Sequence, residues 1–130
     1  MSIPHRQAHI LVVEDDRDIR EAVVEVLEEE GYGVSTAGDG AQALRVLDES
    51  EQQPDLILLD LMMPNMNGFE FRQHQLANAK HALIPVAVLT ADGQALRKAE
   101  ELHVNGLVQK PVKIQPLLDT VERLVFGSHA

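Results

Sequence analysis

Three short apolar runs constrain this chain more than any other feature. His9-Ile10-Leu11-Val12-Val13-Glu14 and Leu56-Ile57-Leu58-Leu59-Asp60 each end in an acid, and Val86-Ala87-Val88-Leu89-Thr90, opened by Pro85, ends in a hydroxyl. Continuous apolar runs of this length suit strands buried on both faces. A strand without a polar face needs a covering layer on each side, and the segments between the runs supply it. Ile19, Ala22, Val23, Val26 and Leu27 have the i, i+3, i+4, i+7, i+8 spacing of one helix face. Asp16 and Asp18 stand at its start, where the helix dipole favours negative charge, and Gly31 stands where a stop is expected.

The rest of the chain repeats the alternation. Tyr32 to Ala37 reads as a second, weaker strand of alternating character. In the turn Gly38-Asp39-Gly40, Asp39 can cap a helix that carries Ala43, Leu44 and Leu47. Pro54 breaks the chain before the third strand. Met63-Pro64-Asn65-Met66-Asn67-Gly68 reads as a loop, followed by a helix around Phe69 to Leu76. Asp92 can cap a helix with Ala95, Ala99 and Leu102 on one side. Gly106 to Gln109 is a short fifth strand, and Lys110-Pro111 leads into a last helix with Ile114, Leu117, Leu118, Val121, Leu124 and Val125 in register. Phe126 to Ala130 reads as a frayed tail. Strand then helix, five times over, implies a parallel sheet covered by helices on both faces. Right-handed crossovers leave few strand orders. Residues 1–130 read as one α/β domain with its core at about 9–125, and no repeat or linker interrupts them.

Composition excludes several function classes. With 21 acidic and 11 basic residues the formal charge is −10. Such a surface repels phosphate backbones and anionic membranes, so no direct nucleic-acid or membrane partner is expected. The absence of cysteine removes disulfides, zinc thiolates and thiol nucleophiles. Met1 to His9 has no apolar core of a secretory signal, and no apolar run approaches the roughly 18 residues that span a bilayer. The expectation is a soluble, cytoplasmic protein. At 3% aromatic residues its core must be aliphatic.

In open α/β sheets ligands bind beyond the carboxyl ends of the strands, where the strand order reverses. Strand 1 ends in Glu14-Asp15, strand 3 in Asp60 and strand 4 in Thr90, and strand 5 leads into Lys110. If the order is 2-1-3-4-5, strands 1 and 3 are neighbours about 4.8 Å apart, and Glu14, Asp15 and Asp60 share one pocket. Three crowded carboxylates repel one another, and one should resist ionising unless a cation is present. Hard oxygen ligands on one side of a crevice suit magnesium, which keeps waters for a phosphate to displace. A carboxylate nucleophile, a divalent ion, a lysine and a hydroxyl are the parts phosphoryl transfer needs, since that reaction is mainly positioning and charge neutralisation.

Val12-Val13-Glu14-Asp15, Asp60 followed by Met63-Pro64 and Gly68, Thr90-Ala91, and Lys110-Pro111 occur in this order, each at a strand end. Together they resemble the response-regulator receiver family, over about His9 to Val125. The resemblance implies a flavodoxin-like (βα)5 fold, a doubly wound five-stranded sheet. It implies that Asp60 accepts a phosphoryl group from a histidine kinase or a phosphotransfer protein, as a phosphoacceptor rather than an enzyme in the usual sense. It implies Mg2+ held directly by Asp15 and Asp60, through water by Glu14, and by the backbone carbonyl of Met62. Lys110 would pair with one phosphoryl oxygen and Thr90 would swing in to another, while the small Ala91 leaves the group accessible. The Lys110-Pro111 bond is expected to be cis. Helix 1 belongs to the family's docking face for the kinase. Output would be altered binding of a downstream protein, through helix 4, strand 5 and helix 5, the face by which active receivers also form homodimers. The short tail after Val125 fits a single-domain regulator of the chemotaxis type, and a receiver excised from a longer regulator or hybrid kinase looks the same.

Two departures from the family pattern matter. Three residues before the lysine many receivers carry Tyr or Phe, and here the switch position is Leu107, which allows no aromatic toggle. This keeps open a degenerate receiver that acts as a phosphorylation-independent interaction module. Met62, two residues after Asp60, offers no side-chain hydrogen bond to an attacking water, and Asp92, two after Thr90, is the remaining candidate. A phosphoryl group that survives for minutes or longer is expected. Bland readings cover other residues. Arg17 and Arg20 read as surface charges, Met63 and Met66 as loop packing, and Leu107 equally as core. His5, His9, His74, His81, His103 and His129 lack ligand spacing and read as structural or exposed.

Overall fold

All the apolar runs are strands in the computed structural model, which describes residues 7–91 and 93–127, without the side chains of 95, 96, 98 and 99. Ten elements alternate: β1 (His9–Val13), α1 (Arg17–Glu29), β2 (Gly33–Ala37), α2 (Gly40–Glu49), β3 (Leu56–Asp60), α3 (Gly68–Ala77), β4 (Val86–Thr90), α4 (Gly93–Glu101), β5 (Gly106–Gln109) and α5 (Ile114–Phe126). The strands form one parallel sheet in the order β2-β1-β3-β4-β5, as expected. β3 and β4, inside the sheet, are buried at every residue.

Side chains alternate between the two faces of a strand. Leu11, Val13, Ile57, Leu59, Val86 and Val88 therefore pack with Ala43 and Leu47 of α2 and Phe71 of α3. Ile10, Val12, Leu56, Leu58, Ala87 and Leu89 pack on the other face with Val23 and Leu27 of α1 and Leu117 and Val121 of α5. Each fully buried leucine, isoleucine or valine contributes about 1.5–3 kcal/mol. β1 and β3 each carry four such residues, and β3 ends in Asp60.

The helix starts follow local chemistry. The Asp16 carboxylate accepts from the Ile19 amide at 3.0 Å, and that of Asp39 from the Gln42 amide at 2.8 Å. At α3, Asn67 accepts from the Glu70 amide at 3.0 Å while Glu70 accepts from the Asn67 amide at 3.3 Å, a reciprocal capping box. Gly31 ends α1 at φ 92°, the left-handed region that glycine enters without strain. Asp92 lies outside the described residues, as do His5, His129 and the side chains of Ala95 and Ala99, so the capping and helix face expected there are not described.

Two expectations need correction. Phe126 is not tail but the last residue of α5, and its ring stacks on Tyr32 with centroids 6.4 Å apart. Leu107 is not core. It lies on the edge strand β5, 37% exposed, because only one side of β5 is covered by a neighbouring strand. A buried polar network also lay outside the apolar pattern. Arg72, 4% exposed, donates to the carbonyls of Leu102 and His103 just past α4 at 3.2 and 2.9 Å, and to Gln75 at 2.8 Å. Gln75 donates to the carbonyls of His81 and Ile84, both at 3.0 Å. The buried His81 ring meets Gln53 at 2.9 Å and Asp48 at 2.8 Å.

Candidate functional site

The sheet order puts β1 and β3 side by side with Val13 opposite Leu59, so the next residues, Glu14 and Asp60, leave the sheet at the same level. Glu14, Asp15 and Asp60 offer carboxylate oxygens that all lie within 4.8 Å of one another. Glu14 is fully buried and Asp60 is 3% exposed, while Asp15 faces solvent. β5 pairs with β4 so that Thr90 is opposite Gln109, and the Lys110 amide then donates to the Thr90 carbonyl at 3.0 Å. That bond places Lys110 over the same pocket. Its Nζ lies 2.7 Å from Oε1 of Glu14 and 3.6 Å from Oδ1 of Asp60. Thr90 is buried at the end of β4, next to Asp60 on β3. The Lys110–Pro111 peptide bond is cis.

Of the residues singled out in the sequence, Glu14, Asp15, Asp60 and Lys110 come together, and Thr90 ends the adjacent strand. Met62 is 62% exposed, and its amide donates to Oδ1 of Asp60 at 3.0 Å. Leu107 lies apart from the cluster, one residue into β5. Arg20 was missed. Its Nη1 donates to the backbone carbonyl of Glu14 at 2.9 Å. The signal was present, because Arg20 shares the i, i+3, i+7 face of α1 with the buried Val23 and Leu27.

The electrostatics follow from this crowding. Burial first, then the hydrogen bond and charge of Glu14, push the Asp60 carboxyl up to about 8, against the opposing donation from the Met62 amide. Burial works against the Lys110 ammonium, but its contacts with Glu14 and Asp60 outweigh that and raise it above its ordinary value. Oε1 of Glu14 is buried and has no partner of hydrogen-bonding geometry, although Lys110 approaches it closely. That ammonium, 2.7 Å away, is its near partner, and a carboxylate oxygen with two lone pairs keeps capacity for a further cation. Three hard carboxylates whose oxygens converge within 4.8 Å fit a small divalent cation such as Mg2+ and not a thiophilic metal.

A family model for the response regulator receiver domain matches residues 10–122. The chain belongs to that family. Among curated relatives, the transcriptional regulatory protein CpxR of Klebsiella pneumoniae is 39% identical over 127 residues, covering 92% of this chain and 50% of that protein. The DNA-binding response regulator MtrA of Mycolicibacterium smegmatis is 38% identical over 114 residues, covering 86% and 48%. This receiver chain thus spans about half the length of the curated relatives it matches. Among solved structures, the chemotaxis response regulator CheY4 of Vibrio cholerae superposes with a TM-score of 0.84 at 30% identity, covering 92% of this chain and 99% of that one. The receiver domain of a signal transduction histidine kinase from Syntrophus aciditrophicus gives 0.84 at 32% identity, covering 92% and 91%. Among the described residues of this receiver, no helix is long and apolar enough to cross a membrane.

Proposed function

We propose that this receiver is a phosphorylation-dependent signalling switch in which Asp60 takes the phosphoryl group from a histidine kinase or a phosphotransfer protein. The observation that carries the reading is the convergence of Glu14, Asp15 and Asp60 under the Lys110 ammonium. One carboxylate oxygen of Asp60 attacks phosphorus as the donor's bond to phosphorus breaks. The electron pair of that bond leaves with the donor, and Asp60 becomes an acyl phosphate. Asp15 and Asp60 would hold Mg2+ with the Met62 carbonyl, and Glu14 would do so through water. When bound, that ion neutralises the charge of the crowded carboxylates and of the transferring group. Lys110, already held above the pocket by its backbone bond to Thr90, would follow its charge onto a phosphoryl oxygen, and the Thr90 hydroxyl would take another.

Thr90 movement would carry the signal to α4, β5 and α5. With an exposed leucine at 107, that signal travels without an aromatic toggle. The donor protein would meet α1 beside the pocket. There, a groove of about 570 Å³ between α1 and α5 has an apolar floor that includes Ile19, Ala22 and Val112, with Asp18 and Glu25 at its edge. Output is altered binding of a downstream protein. Direct contact of this acidic chain with nucleic acid is not part of the reading.

Incubation with acetyl phosphate, followed by intact mass, tests the switch. One phosphoryl group should add only with Mg2+ present, and none to Asp60→Asn. If acetyl phosphate adds none, and neither Mg2+ nor beryllofluoride binds, the reading fails and a phosphorylation-independent interaction module takes its place. Lifetime gives a separate prediction. The exposed Met62 thioether cannot orient a water, so Met62→Asn should shorten the phosphoryl lifetime about tenfold. An unchanged decay rate in that variant would mean that position 62 does not control hydrolysis.

A further inference from the structure

Arg20 was expected to be a surface charge on α1, and its partner says otherwise. The guanidinium sits one turn into the helix, on the inward face shared with Val23 and Leu27, and donates to the Glu14 carbonyl at 2.9 Å. The Glu14 amide donates to the Ala37 carbonyl of β2 at 3.0 Å. Both backbone polar groups of Glu14 are therefore held. Because the peptide unit is planar, fixing the Glu14 carbonyl fixes the plane that leads to the Asp15 Cα. Asp15 is the solvent-facing member of the acidic trio, and it lies past the end of β1. The guanidinium also lies 3.9 Å from where a side chain on Gly38 would begin, so it fills the gap between the end of β1 and the turn after β2.

We propose that Arg20 is a positioning residue for the metal-binding carboxylates. It locks the Glu14–Asp15 peptide so that the Asp15 carboxylate stays within ligating reach of Glu14 and Asp60. The inference rests on the metal reading above. A charge-assisted hydrogen bond to a carbonyl is stronger and more directional than a neutral one, which suits it to hold a loop against the repulsion of three clustered acids. Lys110 holds the Glu14 carboxylate from the β5 side, and Arg20 holds its carbonyl from the α1 side.

A rival account predicts the opposite sign. If Arg20 acted only as a positive charge near the acids, it would oppose a dication, and its removal would tighten Mg2+ binding. If it acts as a prop, its removal loosens binding. Supporting groups behind metal ligands typically matter by about 10–100-fold in affinity.

The experiment titrates the whole chain with MgCl2 by isothermal calorimetry, using wild type, Arg20→Met, Arg20→Gln, Arg20→Lys and Asp15→Asn. Urea unfolding without metal runs in parallel. Arg20→Met and Arg20→Gln, which cannot reach the carbonyl, should each weaken Mg2+ binding about tenfold. Arg20→Lys, which keeps a charged donor of similar reach, should recover much of that loss. Unchanged or tighter binding in whichever of the Met and Gln variants remains folded would overturn the proposal. If wild type binds Mg2+ and Asp15→Asn does not, such a result sinks the role of Arg20 alone. If wild type itself binds no Mg2+, the metal reading falls and takes this inference with it.

Discussion

Gly68→Ala is expected to destabilise the fold by about 3 kcal/mol, the upper range for forcing atoms into a packed site. A Cβ at position 68 would lie 2.6 Å from the Asp60 carbonyl oxygen and 2.8 Å from the Leu61 Cα. Both are backbone atoms, so no rotamer change relieves the clash. The Gly68 amide also donates to the Leu61 carbonyl at 3.1 Å, which ties the first turn of α3 to the end of β3. Either the helix lifts away or the strand end that carries Asp60 shifts. For a domain of this size the melting temperature should fall by roughly 10 °C. Urea unfolding measures the loss directly. Gly93→Ala is the matched control, since nothing lies within 4 Å of its Cβ position at the start of α4, and it should be neutral or stabilising by up to about 1 kcal/mol. A Gly68→Ala loss no greater than that control would show that α3 can slide at little cost.

Asp60→Asn should make the metal-free protein more stable at pH 8 by several kcal/mol, up to about 5, and remove most of its stabilisation by Mg2+. In the folded, metal-free protein, burial and the neighbouring Glu14 push Asp60 up to about 8. In the unfolded chain an aspartate titrates near 4. Between about pH 4 and 8 the folded state therefore holds a proton that the unfolded state has lost. Wild-type stability from this group is greatest at the acid end, declines as pH rises through that window, and levels off above about 8. Asparagine carries no titrating proton, so that decline should be absent in the variant. Magnesium binding to wild type near neutral pH should release a proton, visible as a buffer-dependent heat in calorimetry. Equal stability of the two proteins across the window, without metal, would mean that the acids are not strained.

β1, β3 and β4 were legible because they are buried on both faces, so their runs are unbroken and need no partner to be recognised. The helices on the two main faces were legible from spacing, and Asp16 and Asp39 cap where a short acceptor before an amphipathic stretch should. Leu107 and Phe126 were not legible. A leucine in a strand looks the same in a central and an edge position, and only the pairing of β5 with β4 alone exposes it. Phe126 reads as tail until its ring meets Tyr32, more than ninety positions earlier in the chain. Arg72, Gln75 and His81 broke no apolar pattern, because most of their partners are carbonyls and side chains of other segments, which a linear reading does not bring near.

The sequence by itself determined the alternation of elements, the parallel sheet and the residues at its carboxyl edge, because periodicity and strand-end chemistry are local properties. The tertiary structure alone decided that Lys110 contacts Glu14 more closely than Asp60, and that Arg20 turns inward to the Glu14 carbonyl. Those facts depend on strand register and on the rotation of α1 against the sheet. Both are settled by packing among segments far apart in the chain.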